Sequence, residues 1–342
     1  MSKAYYETLR LYGDRSVTTV TFLEGENAGK KQIFCGEKQV YSQIERAVVK
    51  ENWWNLPPGV IDGPSGTAFV EHLGQAPVCV ICGAGHVGIP VIKMAKLIGF
   101  EVVVIEDRPV FADKARNAGA ARVFCDSFEC ALKQMEERQQ VYFVVMTRGH
   151  RYDEECLSVI LKKSYAYVGM MASRGRAARM KQNLIEKGFS EEAVSQIHMP
   201  IGLSIHARTS EEIGLSVVAQ LISVKNGADS KNVYDWEILD SVINKSKKEP
   251  WILATIIKRQ GSAPREIGTK MLITDMGTTV GTIGGGCMEA QVIREAMSFL
   301  RRRTENMENP MKILTIDLSG VDAENSGMVC GGRMEVLLEV VN

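Results

Sequence analysis

The stretch that most constrains the fold of this chain is the apolar run Val78–Cys82, followed at once by Gly83-x-Gly85-x-x-Gly88. A short apolar run bounded by glycine reads as a buried strand. The apolar-periodic segment from Gly88 to Ile98 reads as a helix, and Gly99 ends it. Glu101–Ile105 is a second strand, with Glu106 and Asp107 directly behind it. That order belongs to a βαβ unit that cradles phosphate: a tight turn at Gly83, close backbone approach at Gly85, and helix packing at Gly88. The acidic residue 23 or 24 positions after Gly83 stands near the place of a ribose-binding carboxylate. The same residues also fit a turn kept only for packing.

The alternation continues. Helices are expected over 111–118, 127–138, 153–163, 173–186 and 210–225. Strands are expected at Arg122–Phe124, 141–146 and 165–169. Strands and helices in alternation make a doubly wound parallel sheet. Residues 227–231 read as a boundary linker. Beyond it come a helix and strands over 251–257, 270–274 and 334–341. The fold class is therefore α/β: a Rossmann-like doubly wound parallel sheet plus a smaller α+β domain. Three segments are expected: 1–75, 76–228 and 229–342. The first reads as a degenerate half-sized copy of the third, because residues 17–41 can be laid on 252–280 and residues 63–74 on 327–340.

The smaller domain carries Gly284-Gly285-Gly286-Cys287-Met288-Glu289 at the opening of a helix over 288–301. Three glycines let backbone approach a ligand, and a helix N-terminus favours an anion, whether phosphate or thiolate. The competing reading is a tight turn with an inert cysteine. In the parallel-sheet domain, His86 lies in the glycine loop, Arg108 follows the acidic pair, and Thr147-Arg148-Gly149-His150 ends the fourth strand. Ligands bind outside the carboxyl ends of parallel strands, so these groups share one crevice with Gly85. Hydrogen bonding of His150 to Asp153 is the structural alternative. Cys79 and Cys82 form C-x-x-C inside a strand, where they face opposite sides of the sheet, so buried packing fits them better than metal or redox work.

Lys+Arg and Asp+Glu both total 41, so the net charge is zero. Nothing points to electrostatic capture of nucleic acid or of an acidic membrane. The apolar runs are too short to span a bilayer, and the first ten residues have no apolar core, so the chain is expected in the cytoplasm with its eight cysteines reduced.

Taken together, these motifs resemble the xanthine dehydrogenase accessory factors, the XdhC/CoxI family. In the first block the resemblance rests on Gly83-Ala84-Gly85-His86-Val87-Gly88, Glu106-Asp107-Arg108-Pro109 and Thr147-Arg148-Gly149-His150 with Asp153. Tyr167-Val168-Gly169, Ser173-Arg174, Pro200-Ile201-Gly202-Leu203 and Glu211-Glu212-Ile213 complete that block. In the second block it rests on Ala254-Thr255, Gly261-Ser262-Ala263-Pro264-Arg265, Gly268, Met271, Ile283 through Glu289 and Cys330-Gly331-Gly332. The family commonly places the cysteine block first, whereas here it follows, and His206 stands where a glycine is expected.

The resemblance implies a maturation factor without turnover of its own. It would bind the molybdenum cofactor (a pterin with a phosphate and a dithiolene), help sulfurate it, and deliver it to a xanthine dehydrogenase-type hydroxylase. A cysteine desulfurase would supply the sulfur. Cys287 would ligate molybdenum or carry a persulfide, Glu289 would tune that thiol or bind pterin, and Cys330 is a second candidate thiol. Gly83, Gly85, His86, Gly88, Asp107, Arg108, Arg148 and His150 would hold cofactor or NAD(P), and Gly284, Gly285 and Gly286 would line the thiol site. A homodimer is expected. An NAD(P)-binding oxidoreductase or a nucleotide-sensing regulator is the alternative.

Overall fold

The structure is a computed structural model that describes residues 3–44, 52–63, 66–136, 138, 140–227, 234–245, 250–261, 265–302, 311–317 and 332–341. Two compact units emerge. One is Gln75–Ser230; the other joins Met1–Gly74 to Lys231–Asn342.

The chain opens with helix α1 (Lys3–Leu11), which sequence reading passed over. Tyr5, Tyr6 and Leu9 form its buried face, a helical spacing short enough to be overlooked. Five antiparallel strands follow: β1 (Val17–Phe22), β2 (Lys31–Cys35), β3 (Lys38–Ser42), β4 (Gly59–Gly63) and β5 (Gly66–Leu73). Their order is β3-β2-β1-β5-β4.

The parallel sheet holds β6 (Val78–Cys82), β7 (Glu101–Ile105), β8 (Arg122–Phe124), β9 (Val141–Val145) and β10 (Tyr167–Met170), ordered β10-β9-β6-β7-β8. Every pairing is parallel. The order turns back between β6 and β9, which opens a crevice at their carboxyl ends. Burial is two-sided. Val78, Val80 and Cys82 pack into one core and Cys79 and Ile81 into the other, so the two cysteines face opposite sides of the sheet. Helices α2 (Gly88–Leu97), α3 (Pro109–Asn117), α4 (Phe128–Gln134), α5 (His150–Ile160), α6 (Arg174–Glu186), α7 (Glu191–Ser195) and α8 (Ser210–Gly227) complete this unit.

Helix α5 begins three residues before the expected start. Gly149 is its extended N-cap, so His150 sits in the first helical turn rather than in a loop. His206 is the one non-glycine residue with positive φ (58°) among the described residues, which gives the physical reason a glycine suits that position.

In the split unit the chain resumes with α9 (Trp236–Ile243). Strands β11 (Trp251–Gly261), β12 (Lys270–Ile273) and β13 (Thr279–Gly281) precede α10 (Gly286–Arg302); β14 (Met311–Asp317) and β15 (Gly332–Val341) follow it. The order is β13-β12-β11-β15-β14, all antiparallel. Strand β14 was not foreseen: only Met311 and Ile316 are buried, five positions apart, and Ile313 is exposed, so the sequence gives no clean alternation.

Candidate functional site

The glycine loop between β6 and α2 uses its three glycines for different reasons. At Gly83 φ is +111°, and an added Cβ would lie 2.5 Å from the Met146 carbonyl oxygen. At Gly88 an added Cβ would lie 2.5 Å from the Gly83 carbonyl oxygen, so close packing of helix on turn needs its absence. Gly85 is different: a Cβ there would meet nothing within 4 Å. The resting fold does not need glycine at 85, whereas a ligand seated on the loop would.

The acidic pair divides its work. Glu106 is fully buried. Its Oε2 accepts from the Ala84 backbone N–H at 2.9 Å, and Arg108 donates to both carboxylate oxygens at 2.8 and 2.9 Å. Glu106 therefore ties the end of β7 to the glycine loop, and Arg108 folds back on it with its guanidinium 3.7 Å from the Phe111 ring centre. Asp107 instead pairs with Arg148, whose Nη2 donates to Oδ2 at 2.8 Å. The Arg148 hydrogen bonds hold the Asp107 carboxyl below the usual range. Arg148 also donates to the Tyr152 hydroxyl at 3.1 Å and stacks 4.7 Å from that ring. Since β6 lies between β7 and β9, the Asp107–Arg148 pair passes over the carboxyl end of β6, where the glycine loop begins.

His86 and His150 are both exposed at this edge. Asp153 is 1% exposed and accepts from Thr147 Oγ1 at 2.6 Å and from Arg176 Nη2 at 3.0 Å. Burial pushes its carboxyl upward despite those partners. The structure thus gathers Gly83, Gly85, Gly88, His86, Asp107, Arg108, Arg148 and His150 at one edge of the parallel sheet.

The second place lies in the split unit, at the start of α10. Gly284, Gly285 and Gly286 all have positive φ, between 66° and 134°. That run needs glycine, because side chains make the left-handed region costly. Glu289, in the first turn of α10, reaches back into it. Its Oε2 accepts from the backbone N–H of Ile283 at 3.2 Å and of Gly285 at 3.1 Å, and from the Thr282 hydroxyl. Cys287 is left exposed beside this clamp, while Cys79, Cys82 and Cys156 are buried. Cys330 lies outside the described residues. Sequence reading missed Tyr152 and Thr282. Tyr152 stands four positions after Arg148, a spacing that could have pointed to it; Thr282 gave no signal.

Comparison with known proteins identifies the family to which both units belong. Residues 79–221 match the model of the XdhC Rossmann domain, and residues 245–309 match that of the XdhC and CoxI family. The chain belongs to the XdhC and CoxI family. Its Rossmann domain is the parallel-sheet unit, and its CoxI-type match contains the Cys287 turn.

Among its relatives, the uncharacterized protein YqeB of Escherichia coli is 30% identical over 167 residues, which covers 48% of this chain and 30% of YqeB. A Bacillus subtilis protein described as a probable subunit of xanthine dehydrogenase is 23% identical over 236 residues, covering 65% of this chain and 66% of that one. A crystal structure titled as a xanthine dehydrogenase from Bacillus halodurans matches with a TM-score of 0.53 and 25% identity, covering 64% of this chain and 62% of that one. The chain thus spans less than two thirds of each of these relatives. Among the described residues, no helix is long and apolar enough to cross a membrane.

Proposed function

We propose that this protein is an accessory factor for a xanthine dehydrogenase-type hydroxylase, and that it binds the molybdenum cofactor, protects it and hands it over. The observation that carries this reading is the α10 turn: an exposed thiol, Cys287, behind a run of positive-φ glycines that Glu289 clamps from within. Family membership and the name of the Bacillus subtilis relative support it.

The donor set suits this cofactor. Among the described residues, no group of three or more His, Cys, Asp or Glu side chains could hold a metal ion. A lone thiol fits a metal that arrives already held by its own dithiolene. When bound, the cofactor supplies the molybdenum centre that the hydroxylase uses. Cys287 would hold that centre through its thiolate, or would carry a sulfane sulfur from a cysteine desulfurase. In that transfer the Cys287 thiolate attacks the outer sulfur of the donor's persulfide. One S–S bond forms as another breaks, the donor leaves as a thiolate, and no outside oxidant is needed. Glu289 holds the turn in shape for this work.

A second reading concerns the Rossmann domain. The unfilled room at Gly85, beside Asp107 and Arg148, favours a phosphate-bearing ligand there, either NAD(P) or the cofactor's own phosphate. Titration with NADH, followed by its fluorescence, separates these ligands.

The maturation role is tested with an apo-hydroxylase lacking its cofactor. Incubated with sulfurated molybdenum cofactor, it should gain substantially more activity when this protein is present than with cofactor alone. Equal activation in both would contradict the role.

A further inference from the structure

The two antiparallel sheets of the split unit follow one plan. Their orders, β3-β2-β1-β5-β4 and β13-β12-β11-β15-β14, match strand for strand. A helix precedes each, α1 before β1 and α9 before β11, and the helices meet, with Arg10 3.1 Å from Asp240.

The registers match as well. Thr19 lies opposite Glu71 as Leu253 lies opposite Glu339. Thr21 lies opposite Lys31 as Thr255 lies opposite Lys270. Glu71 and Glu339 therefore hold equivalent places, and so do Lys31 and Lys270. The shared pattern Lys-x-x-Ile, Lys30 to Ile33 and Lys270 to Ile273, lays Lys30 on Lys270; strand register shifts the match by one residue, to Lys31.

The equivalent rows face each other. Val17, Ile33 and Leu73 share a core with Leu253, Leu272 and Val341, and Leu23 and Phe69 share another with Ile257 and Leu337. Between these cores the four charges pair crosswise. Lys31 Nζ lies 2.8 Å from Glu339 Oε1, and Lys270 donates to Glu71 Oε1. Both lysine side chains are almost fully buried, at 5% and 7% exposure. Each lies 5.1 Å from the ring centre of a tyrosine in its own half, Tyr5 for Lys31 and Tyr234 for Lys270. When residue i of one copy meets j of the other, and j meets i, the contact is isologous, as across a two-fold axis.

We propose that the split unit is a fused pair: two copies of one five-stranded module about a pseudo-two-fold axis, with the first copy standing where a second chain would stand in a homodimer. The family match covers part of the second copy only, 245–309, and leaves 1–78 outside. The first copy keeps the interface and lacks the thiol segment. The segment between β3 and β4 contains no Gly-Gly-Gly-Cys-x-Glu, and its described part holds a three-residue 3-10 turn, Trp53–Asn55, where the second copy has α10. The pair thus has one thiol-bearing copy and one that serves as its built-in partner.

Charge reversal in the full chain tests this. One variant reverses the first copy (Lys31→Glu with Glu71→Lys), another the second (Lys270→Glu with Glu339→Lys), and a third carries all four changes. Each double variant juxtaposes like charges at both crossings. Its Tm should fall by more than about 10 °C, given two broken buried pairs. The four-fold variant restores both crossings within one chain. An equimolar mixture of the two double variants, refolded together, restores both by exchange between chains and should yield a species of twice the mass. Recovery of most of the lost Tm by the four-fold variant or the mixture supports the proposal. Recovery by neither, or no loss in the double variants, overturns it.

Discussion

Two glycine turns lead from strand to helix in this molecule, one in each unit, and in both a carboxylate reaches back to hold the backbone. At Gly83–Gly88 the holder is Glu106, fully buried and neutralised by Arg108. At Gly284–Gly286 it is Glu289, half-buried, accepting two backbone N–H groups and a hydroxyl. The first turn ends in open room at Gly85 beneath an ion pair, whereas the second ends in an exposed thiol. One device, a clamped glycine turn, thus presents two different surfaces: open backbone at Gly85 and an exposed thiol at Cys287.

The sharpest way to break that contrast is within the first turn. Gly83→Ala should destabilise the Rossmann domain by more than about 3 kcal/mol in urea unfolding, because its Cβ would meet the Met146 carbonyl at an unfavourable φ. Gly85→Ala should change stability by less than about 0.5 kcal/mol while abolishing phosphate-ligand binding. A large stability loss at Gly85 would make it a packing glycine like its neighbours.

Next come the clamps. Glu106→Ala leaves Ala84 N–H and the partly exposed Arg108 without their acceptor, and should cost about 2–3 kcal/mol. Glu289→Ala orphans donors nearer solvent and should cost about 1–2 kcal/mol, with faster amide exchange at Gly285. A reversed ranking would show that the second turn, not the first, depends more on its carboxylate.

A smaller effect separates the thiols. Native-state alkylation should modify Cys287 well before Cys79, whose thiol burial pushes upward, and Cys156, whose thiol the hydrogen bond with Cys82 and then burial push upward. Smallest is a titration shift. Arg148→Ala should let the Asp107 carboxyl rise towards its ordinary value, about 3.9, as read by carbon NMR. In the wild type this pair adds stability above that value and loses it as pH falls through the depressed one.

The parallel sheet was legible because its central strands, β6, β7 and β9, are short runs dominated by apolar residues with helical segments between them, the alternation of a parallel sheet. The carboxyl-edge residues were legible with it, since position at a strand end fixes where a group can point. What each group does there was not legible. Two adjacent carboxylates, Glu106 and Asp107, read alike in sequence, yet side-chain burial sends one into the loop and leaves the other on Arg148. The start of α5 was also hidden: the helix opens directly after the extended Gly149, which brings His150 into its first turn. In the first seventy-odd residues, mixed polar and apolar strands such as β3 and β4 gave faint alternation, and nothing in the sequence marks the charged residues Lys31 and Glu71 as inward-facing.

Whether Cys287 stands at a molybdenum cofactor site is measured most directly by anaerobic loading. Wild type and Cys287→Ser are each incubated with molybdenum cofactor and desalted, and molybdenum and pterin are assayed on each chain. The wild type should retain both and the variant should lose the molybdenum, with folding of the two unchanged. No retention by the wild type, or equal retention by both, would contradict a cofactor site at Cys287.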